Sequence, residues 1–369
     1  MKNKITKRDR YRGCMLAGAV GDALGAPIEF LHLEEIKARF GENGLTDYAP
    51  VYGRTGAITD DTQMTLFTAE GLLRGYVRAS IRGIDGTRGC VDHAYQRWLF
   101  TQGSRSRTEE VGKDGWLFQV RDLHARRAPG KTCISALEKK SGFGDLAKND
   151  SKGCGGVMRV APVGLMFHRD DTDNAVPEVF ELGCTVARLT HGHPSGYLTS
   201  GVMAVLVFLL TSGMDLLEAV QIGKRLVLNH PDDPSQEVFS KLHAAELFAT
   251  VHRDDDPEEV ISKLGGGWIA EEALAIAVYT CLRARNLEEA LTLAVNHSGD
   301  SDSTGAMAGN LMGAWHGVKA IPARWLSSLE LKDVIQTIAD DLLDYDKWEC
   351  DPEANSEKAD EVWAKYPGW

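Results

Sequence analysis

The sequence lacks paired cysteines: its seven, Cys14, Cys90, Cys133, Cys154, Cys184, Cys281 and Cys350, are odd in number and never in a CxxC arrangement. A disulfide framework or a structural zinc site is therefore not expected, and a reducing cytoplasm is the natural setting. It also lacks an excess of positive charge. Forty-one Lys and Arg against 53 Asp and Glu leave a formal net charge of −12, so no large phosphate-neutralising surface is available and nucleic acid is excluded as an expected partner. Long hydrophobic runs are missing too. The greasiest stretch, Val202 to Leu210, falls short of the roughly 20 residues that span a bilayer, and is expected as a buried helix with no membrane partner. Met1 to Arg10 is basic, but the apolar run behind it is cut by Asp22, which does not suit a secretory signal.

Strand-like alternation is nearly absent as well, apart from short stretches such as Gly156 to Val163. Helical stripes dominate instead. Leu274, Ala277, Val278, Cys281 and Leu282 recur at helical spacing, as do Met307, Leu311, Ala314, Trp315 and Val318. Leu331, Val334, Ile335, Ile338 and Leu342 form a third stripe. The pattern predicts an all-α protein. No fixed-period repeat and no linker divides the 369 residues, so one domain over 1–369 is expected, with a core from about Arg12 to about Leu343. Two regions read as additions: a basic stretch from Gln102 to Lys131 and an acidic, Trp-rich tail from Trp348 to Trp369.

Between the helical stripes lie stretches read as loops, rich in small and acidic residues: Gly21 to Glu29, Ile58 to Thr62, Gly153 to Arg159, Thr190 to Gly196 and Ser298 to Gly305. The strongest chemical signal has two parts. Thr59-Asp60-Asp61-Thr62 precedes the helical run Met64 to Leu73, and Asp300-Ser301-Asp302-Ser303-Thr304-Gly305 precedes the helix through Met307. Carboxylates and hydroxyls are hard donors that suit Mg²⁺ or Mn²⁺ and not zinc. Four aspartates from two distant segments can hold two ions about 3.5–4 Å apart. The ordinary explanation for each pair is helix capping. A calcium loop starting at Asp300 fails, because Leu311 stands where its final Glu belongs.

Five motifs occur in one order: Gly21-Asp22-Ala23-Leu24-Gly25-Ala26-Pro27-Ile28-Glu29, Thr59 to Thr62, Gly153-Cys154-Gly155-Gly156-Val157-Met158-Arg159, Thr190-His191, and Gly299 to Ala306. In this the chain resembles the ADP-ribosylglycohydrolase family. The resemblance implies a compact orthogonal helical bundle around two Mg²⁺ or Mn²⁺ ions. Thr59, Asp60, Asp61 and Asp302 would hold one ion; Asp300, Asp302 and Ser303 would hold the other, with Asp302 bridging. Ser303 stands where the family commonly has Thr, and keeps the hydroxyl. Glu29 would approach the second ion and gate the substrate ribose, while Asp22 anchors its own loop.

For the substrate, the resemblance implies Gly153, Gly155, Gly156, Met158, Arg159 and His191. The glycines let backbone approach phosphate or ribose, and His191 would lie near the diphosphate. Arg159 is open between ligand and structural ion-pair partner. Cys154 stands where relatives often carry Asn and is assigned no polar contact, and His193 is assigned a structural role. The implied reaction removes ADP-ribose from a modified protein, with arginine the favoured linkage. Glu29, Asp60 and Asp61 are the candidates for the base that deprotonates water. Serine-linked, polymeric or ester-linked ADP-ribose is the alternative substrate, and a catalytically silent module that binds ADP-ribose or a partner is the alternative class. An ADP-ribosyltransferase toxin is a further expected partner. The basic stretch, with Arg105, Arg107, Lys113, Arg121, Arg126, Arg127 and Lys131 around Trp116 and Phe118, is expected to contact such a protein at the rim of the site.

Overall fold

The hydroxyl of Thr59 accepts the Asp61 N–H and so starts a long helix whose first two residues are the Asp60-Asp61 pair. Local rules of this kind build a wholly helical chain. The computed structural model describes residues 5–105, 112–167, 172–231, 235–351 and 356–368. Among them lie α1 (Lys7–Gly25), α2 (Leu33–Phe40), α3 (Asp60–Arg82), α4 (Thr87–Thr101), α5 (Lys131–Glu138) and α6 (Ala161–Leu165). Then come α7 (Thr172–Arg188), α8 (Pro194–Thr211), α9 (Leu216–Leu228), α10 (Ser235–Thr250), α11 (Pro257–Leu264) and α12 (Ala270–Arg283). The order ends with α13 (Leu287–Val295), α14 (Ser301–His316), α15 (Ala323–Ser328), α16 (Lys332–Asp344) and α17 (Glu357–Lys365). No strand occurs among the described residues, only two isolated bridges. The all-α expectation holds.

The apolar stripe around Val202 lies on α8, which has the length and hydropathy to cross a membrane but is buried along nearly its whole length inside the protein. Its side chains are core. Pro194 opens the helix at a position where a missing N–H costs nothing, and His193 caps it by accepting the Ser195 N–H at 3.1 Å. The stripes at 274–282 and 331–342 fall on α12 and α16. The stripe at 307–318 ends early, because α14 stops at His316 and Val318 begins a short 3₁₀ turn.

Two local expectations are corrected. The stretch Gly156 to Val163 is not strand-like: it runs from a 3₁₀ turn at Cys154–Gly156 into α6, where Pro162 sits in the first turn. The Gly21 to Gly25 part of the first motif is not a loop but the last turns of α1. The reason is the packing of α1 against α14. A Cβ on Gly21 would overlap the Gly305 carbonyl, and one on Gly25 would overlap the backbone of Ser301 and Asp302. Glycine is needed here so that two helix backbones can touch. Their contact fixes Asp22 and Asp302 on adjoining surfaces.

Among its described residues the basic stretch does not form an exposed aromatic-and-Arg patch. Arg127 is buried in an ion pair with Glu330, Phe118 is buried, and Trp116 packs edge-on against Tyr366 of the tail. Arg126 donates to the Gln102 carbonyl at 3.1 Å. Arg107 lies outside the described residues. The tail returns to the core: Trp348 stacks on Tyr366, whose hydroxyl donates to Asp341.

Candidate metal centre

Asp22, fully buried on α1, organises the first aspartate segment. Its carboxylate accepts the Thr59 N–H at 3.0 Å, the Thr59 hydroxyl at 2.8 Å and the Thr62 N–H at 3.1 Å. The N-terminal turn of α3 is thereby tied to α1, with Asp60 and Asp61 at its positive dipole end. Asp60 Oδ2 accepts the Gly130 N–H at 3.0 Å, so the basic stretch does reach the site, through its backbone. Thr59 also stands near enough to Asp302 of α14 to favour its charged form, which brings the two aspartate segments together. At the start of α14, Asp300 acts as the N-cap, accepting the Ser303 N–H at 3.4 Å. Capping and clustering coexist: the aspartates that start these helices also face one another.

Glu29 completes the arrangement. Carboxylate oxygens of Glu29, Asp300 and Asp302 lie within 4.8 Å of one another, and all three residues are buried. Burial, and after it the charges of Asp302, Asp300, Asp60 and Asp22, push the Glu29 carboxyl up to about 10. Burial and then Asp302 raise Asp22 to about 7. Asp60, Asp61 and Asp300 are held well above the usual carboxylate range by burial first and by Asp302 next, except that the Gly130 N–H partly opposes the shift at Asp60. Burial raises Asp302 as well. Like charges packed this closely out of water call for cations. Glu29 Oε2 and Asp61 Oδ1 point the same way: both are buried without a hydrogen-bond partner. An all-carboxylate and hydroxyl donor set fits a hard divalent ion. The three-carboxylate cluster includes Glu29, whereas Asp60 and Asp61 belong to the neighbouring turn that Thr59 brings near Asp302.

The remaining site residues form a wall beside the cluster. In the turn Gly153 to Gly156 the glycines face the His191 ring: a Cβ on Gly155 would lie 3.2 Å from it and one on Gly156 3.4 Å. His191 Nδ1 pairs with the Thr190 hydroxyl at 2.8 Å. Burial and then the Arg159 charge lower this imidazole to about 3, so it stays neutral. Met158 is buried, with its sulfur 3.8 Å from Ser303 Oγ.

Arg159 forms no ion pair among the described residues. It has no solvent exposure, donates to the Thr190 hydroxyl at 2.6 Å, and lies 4.3 Å over the Tyr95 ring. Through the Thr190 hydroxyl it is linked to His191.

Sequence reasoning missed three features. Cys154, given no polar contact, places Sγ 2.8 Å from Asp300 Oδ2. Tyr52 stands close enough to the cluster that burial and then the Glu29 charge raise its hydroxyl to about 12. Phe30 and Trp268, both exposed, stack with ring centroids 6.0 Å apart. Phe30 directly follows Glu29, and the Trp268 carbonyl accepts the Cys154 N–H at 3.1 Å. The only available signal for Phe30 was its place beside Glu29.

Comparison with known proteins agrees with this geometry. A family model described as ADP-ribosylglycohydrolase matches residues 3–352. ADP-ribosyl-[dinitrogen reductase] glycohydrolase of Rhodospirillum rubrum is 28% identical over 88% of this chain and 91% of its own. ADP-ribosylarginine hydrolase Tri1 of Pseudomonas putida strain GB-1 is 26% identical over 91% of this chain and 78% of its own. A solved structure titled "ADP-ribosylglycohydrolase-related protein complex" superposes with a TM-score of 0.66 at 28% identity, over 92% of this chain and 98% of that one.

Proposed function

The chain belongs to the ADP-ribosylglycohydrolase family, and on that premise we propose that it hydrolyses the bond between ADP-ribose and a modified arginine side chain of a protein. The observation that carries the proposal is the convergence of Glu29, Asp300 and Asp302 beside Asp60 and Asp61. Thr59, Asp60, Asp61 and Asp302 would hold one Mg²⁺ or Mn²⁺ ion, and Asp300, Asp302 and Ser303 would hold a second. When bound, they neutralise the carboxylates and draw the ribose hydroxyls into register.

This chain's own residues supply the rest. Glu29 takes a proton from the attacking water at the anomeric carbon, with Asp60 and Asp61 as the other carboxylates in reach of the reaction. The water oxygen forms the new bond to the anomeric carbon, the carbon–nitrogen bond breaks, and the leaving guanidine nitrogen takes up a proton. Nearby carboxylates favour the positive charge that develops on the sugar ring. The Gly153 to Gly156 turn and neutral His191 form the wall on which the diphosphate is seated, since backbone and imidazole N–H groups suit phosphate oxygens. Arginine as the linkage is supported by the relative named ADP-ribosylarginine hydrolase, and a protein as its carrier by the relative named for ADP-ribosyl-dinitrogen reductase. The enzyme would thus undo the product of an ADP-ribosyltransferase, a toxin among the candidates.

The test is direct hydrolysis. Purified protein is incubated with ADP-ribose linked to arginine, to serine and as polymer, with and without Mg²⁺ or Mn²⁺, and released ADP-ribose is measured. Metal-dependent release from arginine supports the proposal. Release from serine or polymer alone replaces the linkage, and ADP-ribose binding without release from any substrate makes the chain a binding module.

A further inference from the structure

Six of the seven cysteines are buried; Cys154 alone is half-exposed. Its position is set by main-chain bonds. The Cys154 N–H donates to Trp268, and the Cys154 carbonyl accepts the N–H groups of Val157 at 2.9 Å and Met158 at 3.1 Å. From that anchored turn the thiol meets the edge of the carboxylate cluster at Asp300. Sγ lies 2.8 Å from Asp300 Oδ2 and 3.7 Å from Ser303 Oγ. An oxygen about 2.1 Å and a sulfur about 2.3 Å from a shared ion stand roughly 3.1–3.6 Å apart for angles between about 90° and 109°. The two observed separations fall just outside that range, one on each side of it. An independent sign that a cation belongs beside Asp300 is Glu29: its Oε2 is buried and unpaired, and one of its carboxylate oxygens lies within 4.8 Å of oxygens of Asp300 and Asp302.

The geometry points to Cys154 Sγ as a sulfur ligand on the Asp300–Ser303 side of the metal centre. The inference rests on the metal centre proposed above. Oxygen-only sites favour Mg²⁺ and Mn²⁺, while one thiolate shifts preference toward thiophilic divalent ions such as Co²⁺, Zn²⁺ and Cd²⁺. Ligation forms one sulfur–metal bond and releases the thiol proton to solvent. The hard donors Asp300, Asp302 and Ser303 remain, so Mg²⁺ is still accepted. This chain then discriminates among metals through a residue outside the aspartate motifs.

Spectroscopy of the full chain tests it. Metal-stripped protein is titrated with Co²⁺, retained cobalt is quantified by elemental analysis, and the near-ultraviolet sulfur-to-cobalt charge-transfer band is recorded. The wild type is expected to develop the band as cobalt binds. Cys154→Ser is expected to retain cobalt without the band, and to bind Cd²⁺ at least about tenfold more weakly while Mg²⁺ affinity stays within about twofold. Cys133→Ser, altering the thiol 3.8 Å from the Gly155 carbonyl, should keep the band. Alkylation of wild-type Cys154, read by peptide mass, should slow when cobalt is bound, and this arm needs no variant. Cobalt retained by the wild type without a band overturns sulfur ligation alone, as does a band that survives in Cys154→Ser. No retained cobalt at all overturns the metal centre itself.

Discussion

Arg127 and Glu330, distant in sequence, form a buried two-pronged ion pair directly beneath the turn that carries the first aspartates. The same two side chains grip the main chain of Ile58: Glu330 accepts its N–H at 3.0 Å and Arg127 donates to its carbonyl at 2.9 Å. Thr59 follows immediately. Arg127→Ala leaves the Glu330 charge buried with only Arg54 to oppose it, a change that typically costs about 3–5 kcal/mol. The expected result is a large fall in Tm and loss of hydrolysis even on free ADP-ribosyl-arginine. A variant that loses activity only toward modified protein would restore a docking role to this arginine.

The crossing of α1 and α14 leaves no space for a methyl group at Gly21, because the Gly305 carbonyl occupies it. Gly21→Ala must push the helices apart and displace Asp22 from the Thr59 turn. Overpacking of this kind costs about 1–3 kcal/mol or more. Metal affinity measured by calorimetry should fall along with Tm. Unchanged affinity in a folded variant would show that the site tolerates a wider crossing.

Asp302 adjoins both halves of the centre, near Thr59 on one side and in the Asp300–Glu29 cluster on the other. Asp302→Ala is expected to be the most damaging single change to activity, with metal stoichiometry reduced at both positions and helical circular dichroism retained. Full activity, or a wild type that binds no metal, would sink the two-ion scheme.

Glu29→Gln keeps the size and hydrogen bonding of the side chain but removes its ability to take a proton. A loss in turnover of about 10²–10⁴-fold, with ADP-ribose affinity little changed, is expected from single-turnover and binding measurements. Unaltered turnover would move the base to Asp60 or Asp61.

Protons and nearby cations favour opposite charge states of the buried carboxylates. Asp22 at about 7 and Glu29 at about 10 have folded values raised above those of the unfolded chain. Their stabilising contribution to the metal-free protein is therefore complete below about pH 4 and is lost as pH rises through each folded value. His191, lowered to about 3, acts in the opposite sense but only below about pH 6.5, its unfolded value. Between pH 7 and 9 the carboxylates set the slope, joined toward the upper end by Cys14, Cys133 and Cys281, whose thiols burial raises and which act in the same direction. Tm of the metal-free protein should fall across that interval, and the rise in Tm on adding Mg²⁺ should grow. A flat metal increment would show that the ions do not replace protons on these groups.

The amino-acid order by itself determined the helical class, because the stripes on α12 and α16 repeat at the helix period whatever they pack against. It also marked Asp60, Asp61, Asp300 and Asp302, since donor hardness and position at a helix start are local properties. Partners distant in sequence were decided by the tertiary structure alone. Gly21 to Gly25 read as a loop because glycine weakens an isolated helix; contact with α14 makes it a helix, and only there are the missing side chains an advantage. Arg127 read as a surface charge because arginine usually is one, and becomes buried only where Glu330 arrives to pair with it. Cys154 and Glu29 reach the aspartates through the folding of separate segments onto α14, so their chemistry depends on distances that no local pattern encodes.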